Sequence, residues 1–242
     1  MALLEVNDIN SFYGDSHVLF DVSFHVSENE VVALFGRNGA GKTTTLKSLM
    51  GIVTPRSGRI VFDGKSLVGA PLSEVARAGM QWVPEERRIF GTLTVEENMR
   101  LASLTAEHPW PLDRIYGLFP RLRERRKSFG KTLSGGEQQM LAVARALVRD
   151  PKLILLDEPF EGLAPIIVED LARACKALAL DSGRPIVIVE QDIATVMELA
   201  DRCYVIDRGH VVYDGTPREL GARRDLIDRY IGIGVPSAPV ES

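Results

Sequence analysis

Gly36-Arg37-Asn38-Gly39-Ala40-Gly41-Lys42-Thr43 fits the pattern G-x-x-x-x-G-K-[ST] without a mismatch, and its flanks decide how it is read. An apolar run, Val31 to Phe35, leads into it, and a helical pattern, roughly Lys42 to Met50, leads out. Strand, glycine-rich turn and helix in that order predict a phosphate loop. The glycines let the backbone approach phosphates, successive N–H groups and the helix N-terminus supply positive potential, and Lys42 reaches the outer phosphates. The Thr43 hydroxyl can hold Mg²⁺, and Thr44 follows it on the same helix start. A glycine-rich turn that merely starts a helix would need neither the lysine nor the hydroxyl.

Leu153 to Leu156 is a short apolar run of the kind that forms a buried parallel strand, and it ends in two carboxylates, Asp157 and Glu158. Strand C-termini face the ligand crevice of such sheets. Asp157 is therefore expected to bind Mg²⁺ directly or through water, while Glu158 points toward a terminal phosphate and polarises an attacking water.

Between these two motifs lies Leu133-Ser134-Gly135-Gly136-Glu137-Gln138. Ser134 and Glu137 form an S-x-x-E capping box ahead of a helix whose Met140, Leu141, Ala144, Leu147 and Val148 follow the helical period. Capping does not call for Gly135-Gly136, which weaken a helix unless something must come close to those N–H groups. An anion is the natural candidate.

With these residues the chain resembles the ATP-binding cassette family, whose signature LSGGQ stands here as Leu133 to Glu137, and the resemblance runs from about Met1 to Gly232. It implies an α/β fold: a P-loop NTPase (RecA-like) core, an N-terminal antiparallel β-subdomain and an inserted α-helical subdomain. The ATP-binding domain would span 1–232, with 1–84 and 150–232 as core and β-subdomain and 85–149 as the helical part, and 233–242 as a flexible tail. In that family two cassettes pair head to tail, so that the signature helix of one closes on the ATP held by the other. The implied cofactors are ATP and Mg²⁺. The implied partners are a second cassette, identical or not, integral membrane permease subunits, and indirectly a periplasmic solute-binding protein.

The resemblance also assigns residues. Tyr13, upstream of the phosphate loop, matches the aromatic that stacks on adenine, a contact worth ~1 kcal/mol or more. Phe160 to Ala164 matches the segment that crosses the dimer interface. Two positions depart from the common pattern. Glu85 stands where most cassettes have glutamine, Gln81 lying inside the preceding strand pattern. A carboxylate about 6 Å from a phosphate is repelled by roughly 3 kcal/mol at an effective dielectric of about 20, so Glu85 should bind through Mg²⁺ or water, or swing away. Gln191 takes the place of the usual switch histidine; it can donate to a phosphate but cannot titrate.

Glu85 within Val83 to Phe90, then Leu93 to Asn98, Gly162 to Pro165 and Val189 to Gln191 are together similar to the second ATPase subunit of branched-chain amino acid importers, with urea and amide importers close by. A soluble cassette that remodels DNA, ribosomes or iron–sulfur assemblies would be expected to carry a coiled coil, a zinc site or a second cassette, and a P-loop kinase has no use for Leu133 to Gln138. Single cassettes of this kind also occur in exporters and lipid extractors, so direction rests on the resemblance.

Composition bounds the rest. At 242 residues and 45% hydrophobic content the chain can bury a large core as one domain with an inserted subdomain. No apolar run approaches the roughly 18 residues of a membrane span, and the first residues lack the basic flank of a signal peptide. Two cysteines, Cys175 and Cys203, make no disulfide framework, the four histidines show no metal spacing, and a formal charge of -4 gives no reason to expect nucleic acid. The expected location is cytoplasmic, peripheral on the inner face of the cell membrane. Along the chain, strands are expected from Leu3 to Val26, around Gly58 to Gly64 and at Gly79 to Val83. Helix is expected from Thr94, which pairs with Glu97 in a second capping box, to about Arg149, with a break at Pro109-Trp110-Pro111. Strands resume at Leu153, Ile186 and Cys203, and the dense charge run Arg121 to Lys127 reads as a solvated helix face or as a membrane-facing one.

Overall fold

A computed structural model describes residues 2–191 and 193–232, so the tail at 233–242 and Asp192 lie outside the described residues. The N-terminal part is a hairpin, β1 (Ala2–Tyr13) and β2 (Ser16–Ser27), followed by the first core strand β3 (Val31–Phe35) and the phosphate-loop helix α1 (Lys42–Leu49). Next come β4 (Ser57–Phe62), β5 (Lys65–Ser66), the short α2 (Leu72–Ala78) and β6 (Met80–Val83). The helical stretch holds α3 (Val95–Ser103), α4 (Leu112–Leu118), α5 (Pro120–Glu124), a 3₁₀ turn at Gly130–Thr132 and α6 (Gly135–Val148). The chain then returns through β7 (Leu153–Asp157), α7 (Pro165–Ser182), β8 (Ile186–Glu190), α8 (Ile193–Met197), β9 (Arg202–Asp207), β10 (His210–Gly215), α9 (Pro217–Ala222) and α10 (Arg224–Tyr230).

Two sheets result. One is antiparallel with order β2-β1-β4-β5, and the other runs β10-β9-β3-β8-β7-β6, parallel except for β10. Strands β3, β7 and β8 are buried along their whole length because both faces are covered. Their side chains divide with a period of two. Val31, Ala33, Phe35, Ile154, Leu156, Ile186 and Ile188 join the core under α6 and α7, while Val32, Leu34, Leu153, Leu155, Val187 and Val189 join the core shared with the antiparallel sheet and α1. Each fully buried Val, Leu or Ile contributes about 1.5 to 3 kcal/mol by leaving water. The three central strands are therefore the most firmly held part of the molecule, and their C-terminal ends carry Phe35, Asp157 and Glu190.

The stretch from Thr94 to Arg149 is less continuous than its pattern suggests. Residues 125–129 run alongside the start of α3, where the carbonyls of Ser128 and Arg126 accept the N–H groups of Val95 and Glu96 at 3.0 Å each. Those are first-turn donors that a helix cannot satisfy internally, so the chain trades helix in one place for a capped helix in another. Both expected capping boxes form, Thr94 with Glu97 and Ser134 with Glu137, and a third, Thr216 with Glu219, starts α9. The charge run is mostly exposed around the buried Leu122, with Arg121 paired to Asp170, Arg123 to Asp113 and Arg125 to Glu137. Cys175 and Cys203 are free and buried. No helix among the described residues is long and apolar enough to cross a membrane.

Candidate functional site

The phosphate loop folds back over the end of β3. A Cβ at Gly36 would lie 2.3 Å from the carbonyl oxygen of Ile206, so only glycine lets the loop start this close to β9. Lys42, 4% exposed, curls into the loop it leaves: Nζ donates to the carbonyls of Gly36 at 2.8 Å and Arg37 at 3.3 Å and lies 3.4 Å from Glu158 Oε1. Arg37, Asn38 and Gly39 form the exposed crest, and Ala40 and Gly41 are buried beneath it. Arg37 reaches the carbonyl of Asp228 in α10 at 3.1 Å. Thr43 and Thr44 are half-buried on the first turn of α1.

Thr43 Oγ1 donates to Asp157 Oδ1 at 3.2 Å. Asp157 is 2% exposed, and burial pushes its carboxyl up to about 6. The Thr43 hydrogen bond and the Lys42 charge oppose that shift, and the neighbouring Glu158 and Glu85 charges add to it. A buried carboxylate beside a hydroxyl is a hard-oxygen donor pair. This donor set fits Mg²⁺.

Glu158 takes a positive φ of 47°, with its N–H bonded to the Val189 carbonyl at 2.9 Å, and this turns its side chain from the sheet toward the loop. Gln191 Nε2 donates to both of its oxygens, at 3.2 and 3.1 Å. Burial works to raise the Glu158 pKa, but a hydrogen bond from Glu161, the Lys42 charge and the Gln191 amide outweigh it and hold the carboxyl below its ordinary value. Glu161 carries the complementary shift upward, chiefly through that shared hydrogen bond. Carboxylate oxygens of Glu85, Glu158 and Glu161 all lie within 4.8 Å of one another, so Glu85 faces the site rather than swinging away. Gln81 stays in β6 and bonds to the Ala76 carbonyl.

Glu161 and Glu190 escaped the sequence reading as site residues. Glu190, 3% exposed, accepts the N–H of Phe160 at 2.9 Å and that of Gln191 at 3.2 Å, which ties the segment after β7 to the segment after β8. Its signal was an acidic residue ending an otherwise apolar strand. A cleft of about 640 Å³ opens beside this group, lined by Glu158, Phe160, Glu161, Glu190 and Gln191 among others.

The Ser134 side lies apart. Ser134 Oγ accepts the Glu137 N–H at 3.3 Å, Glu137 accepts the Ser134 N–H at 2.8 Å, and Arg125 Nε donates to Glu137 at 3.1 Å. Burial works to raise the Glu137 pKa, and these partners bring it below its ordinary value. Ser134 and Gly135 are exposed, whereas Gly136 is buried. A Cβ at Gly136 would lie 2.6 Å from Ile167 Cγ2, so close packing on α7 accounts for this glycine without any anion. At Gly135 a Cβ would meet only the flexible end of Arg87, at 3.1 Å. Among the described residues no hydrogen bond or ion pair joins 134–137 to 36–43 or to Tyr13, which ends β1 and is 46% exposed.

A buried strand running into a glycine-rich loop that holds a lysine, and a threonine on the helix that follows bonded to a carboxylate at the end of β7, two strands away, define a P-loop NTPase. Residues 19–161 match the model of the ABC transporter family, and the chain belongs to that family. It is 41% identical to the high-affinity branched-chain amino acid transport ATP-binding protein BraG of Pseudomonas aeruginosa, over 95% of this chain and 100% of that one. It is 37% identical to the lipopolysaccharide export system ATP-binding protein LptB of Escherichia coli K12, over 96% of this chain and 98% of that one. A nucleotide-free ATP-binding cassette from an ABC transporter superposes with a TM-score of 0.83 at 23% identity, over 97% of this chain and 100% of its own, which establishes the fold. The chain is thus the ATP-binding, ATP-hydrolysing subunit of an ABC transporter.

Proposed function

We propose that the chain powers an importer of branched-chain or other amino acids, working as one of two paired cassettes on the inner face of the cell membrane. The observation that carries the ATPase chemistry is the grip of Lys42 and Gln191 on Glu158 beside the Thr43–Asp157 pair. ATP lies along residues 36–44 with its base on Tyr13. Thr43 and Asp157, with Glu85 directly or through water, would hold Mg²⁺, which would supply positive charge to the phosphates. In the resting chain Lys42 is occupied by Glu158 and by loop carbonyls, so phosphate binding draws the ammonium away and leaves the carboxylate held by Gln191. Held below its ordinary pKa, Glu158 is ionised at neutral pH and takes a proton from water as the water oxygen bonds to the γ-phosphorus. The bond from that phosphorus to the β,γ-bridging oxygen breaks, and ADP leaves.

The helix start Ser134 to Glu137, with Gly136 held against Ile167, completes the pocket of the other cassette, a reading supported by the exposure of Ser134 and Gly135 and by the capping box that Ser134 and Glu137 form with each other. A groove of about 490 Å³ supports the permease contact. Trp82, Arg87, Arg88, Phe90, Arg145 and Arg149 are among its lining residues, and Leu72, Phe90 and Leu101 stand exposed at its edges. A permease helix would cover this apolar, cationic surface next to Glu85. Similarity to BraG favours amino acid import. In cells carrying this chain, Lys42→Ala should abolish ATP-dependent uptake of leucine, isoleucine and valine. Unchanged uptake would overturn the substrate reading, and an accompanying lipopolysaccharide defect would move the assignment to export.

A further inference from the structure

The turn that presents Tyr13 is held by contacts that the motifs do not explain. Phe12 faces His17 across the β1–β2 pair with ring centroids 4.0 Å apart and planes 10° apart. His17 lies 3.7 Å from Phe20, and Phe20 stacks on His210 at 4.8 Å. The outer face of Phe12 is covered by the Arg56 guanidinium, 4.1 Å from the ring centre, and Arg56 Nη2 also donates to the carbonyl of Gly14, next to Tyr13. The backbone N–H of Arg56 bonds to the Asn10 carbonyl at 2.8 Å, which anchors the clamp to β1. At the other end of the column, Phe20 N–H bonds to Gly209 O at 2.9 Å and Gly209 N–H bonds to Ala40 O at 2.8 Å. A Cβ at Gly209 would sit 2.0 Å from the Val18 carbonyl and 2.8 Å from Phe20, so this junction is tightly packed. The column therefore runs without a break from the Tyr13 turn to the phosphate loop.

We infer that Arg56 is a positioning residue for the nucleotide base: clamped on Phe12 and the Gly14 carbonyl, it holds the Tyr13 turn at a set distance from the phosphate loop. The inference rests on Tyr13 being the base platform. Its physical reason is that Tyr13 is half-exposed at the tip of a two-residue turn, where an unbraced hairpin end would have to be ordered each time a base binds. A cation over an aromatic face with a charge-assisted bond to a carbonyl removes that ordering cost before binding.

Calorimetric titration with Mg-ATP and with inorganic tripolyphosphate, which has no base, separates positioning from general damage. Tyr13→Ala should weaken ATP about tenfold and Arg56→Ala about fivefold, with tripolyphosphate affinity changed less than about 1.5-fold by either. The double variant should be no weaker than about tenfold, because both remove one platform. Arg56→Lys, which keeps the charge but not the fork, should recover part of the loss. If Tyr13→Ala leaves ATP binding intact, the base-platform reading falls and the inference with it. If Tyr13→Ala weakens ATP and Arg56→Ala does not, the inference alone falls. An equal loss of both ligands in Arg56→Ala would mark the residue as merely structural and also overturn it.

Discussion

The two halves of the candidate nucleotide site are built on opposite plans. At the phosphate-loop end Lys42, Asp157 and Glu158 already have partners within the chain: Lys42 holds two carbonyls and Glu158, Thr43 holds Asp157, and Gln191 holds Glu158. At the signature end Ser134 and Gly135 are exposed, and the capping box closes only on itself. A buried end filled by its own ion pair and hydrogen bonds is preorganised but must exchange partners to bind phosphate. An open helix start has nothing to exchange and waits for a second surface. That contrast supports the proposed pairing, in which each chain lends its open helix start to the phosphate loop of the other.

The strongest way to break the comparison is at Glu158. Glu158→Gln removes the proton acceptor and should lower turnover by roughly 10² to 10⁴ while nucleotide still binds, so that sedimentation with saturating Mg-ATP finds dimers. Monomers under those conditions would speak against the paired site. Next comes mixing of two inactive variants, Lys42→Ala and Ser134→Arg. Random pairing makes about half the dimers mixed, each with one whole site, so turnover of about a quarter of wild type should return. No recovery would mean that each chain uses its own signature helix or that one intact site is not enough.

The buried end can be probed by pH. The folded Asp157 pKa of about 6 stands above its ordinary 3.8, so between those values the native chain holds a proton that the unfolded chain has lost. Stability therefore falls as pH rises through that window, by on the order of 2 to 3 kcal/mol at about 1.4 kcal/mol per unit. Metal-free Asp157→Asn escapes the loss, and its advantage in urea unfolding should be absent near pH 3.8 and fully developed above about 6. An advantage constant across that range would contradict the assigned burial cost.

At the open end the two glycines should separate. Gly136→Ala meets the two γ carbons of Ile167 and should cost about 1 to 3 kcal/mol of stability, a cost that a double-mutant cycle with Ile167→Ala, which removes both, should relieve. Gly135→Ala meets only a movable guanidinium and should leave stability unchanged or raise it by up to about 1 kcal/mol while lowering turnover. Equal unfolding midpoints for the two would undo the distinction. The smallest expected effect is at Gln191, which cannot ionise: it contributes no titration of its own to the wild-type activity profile, and Gln191→His should add one near about pH 6.5. Identical profiles would count against a role for this side chain at the phosphate.

Much of this was legible in the chain because the chemistry is local. Gly36 to Thr43 carries its own strand and helix context, Ser134 and Glu137 are three residues apart on one helix turn, and Asp157 and Glu158 are adjacent at the end of an apolar run. Motifs whose parts lie within one turn or one strand end need no tertiary information. Helix continuity from Thr94 to Arg149 was misjudged because the carbonyls of Arg126 and Ser128 are recruited by a helix start some thirty residues earlier, and periodicity is blind to such a bond.

The phosphate loop, the carboxylate pair, the capped glycine-headed helix and the continuous apolar runs of β3, β7 and β8 were all written in residues close along the chain. Only the tertiary structure decided that Gln191 reaches Glu158 and that Glu85 and Glu161 converge on it. It alone decided that Gly136 serves packing on Ile167 and that an aromatic column joins the Tyr13 turn to the phosphate loop. The reason is physical: which strand ends become neighbours is set by the sheet order, through burial of whole strand faces, and no residue's own pattern specifies which distant side chain will stand opposite it.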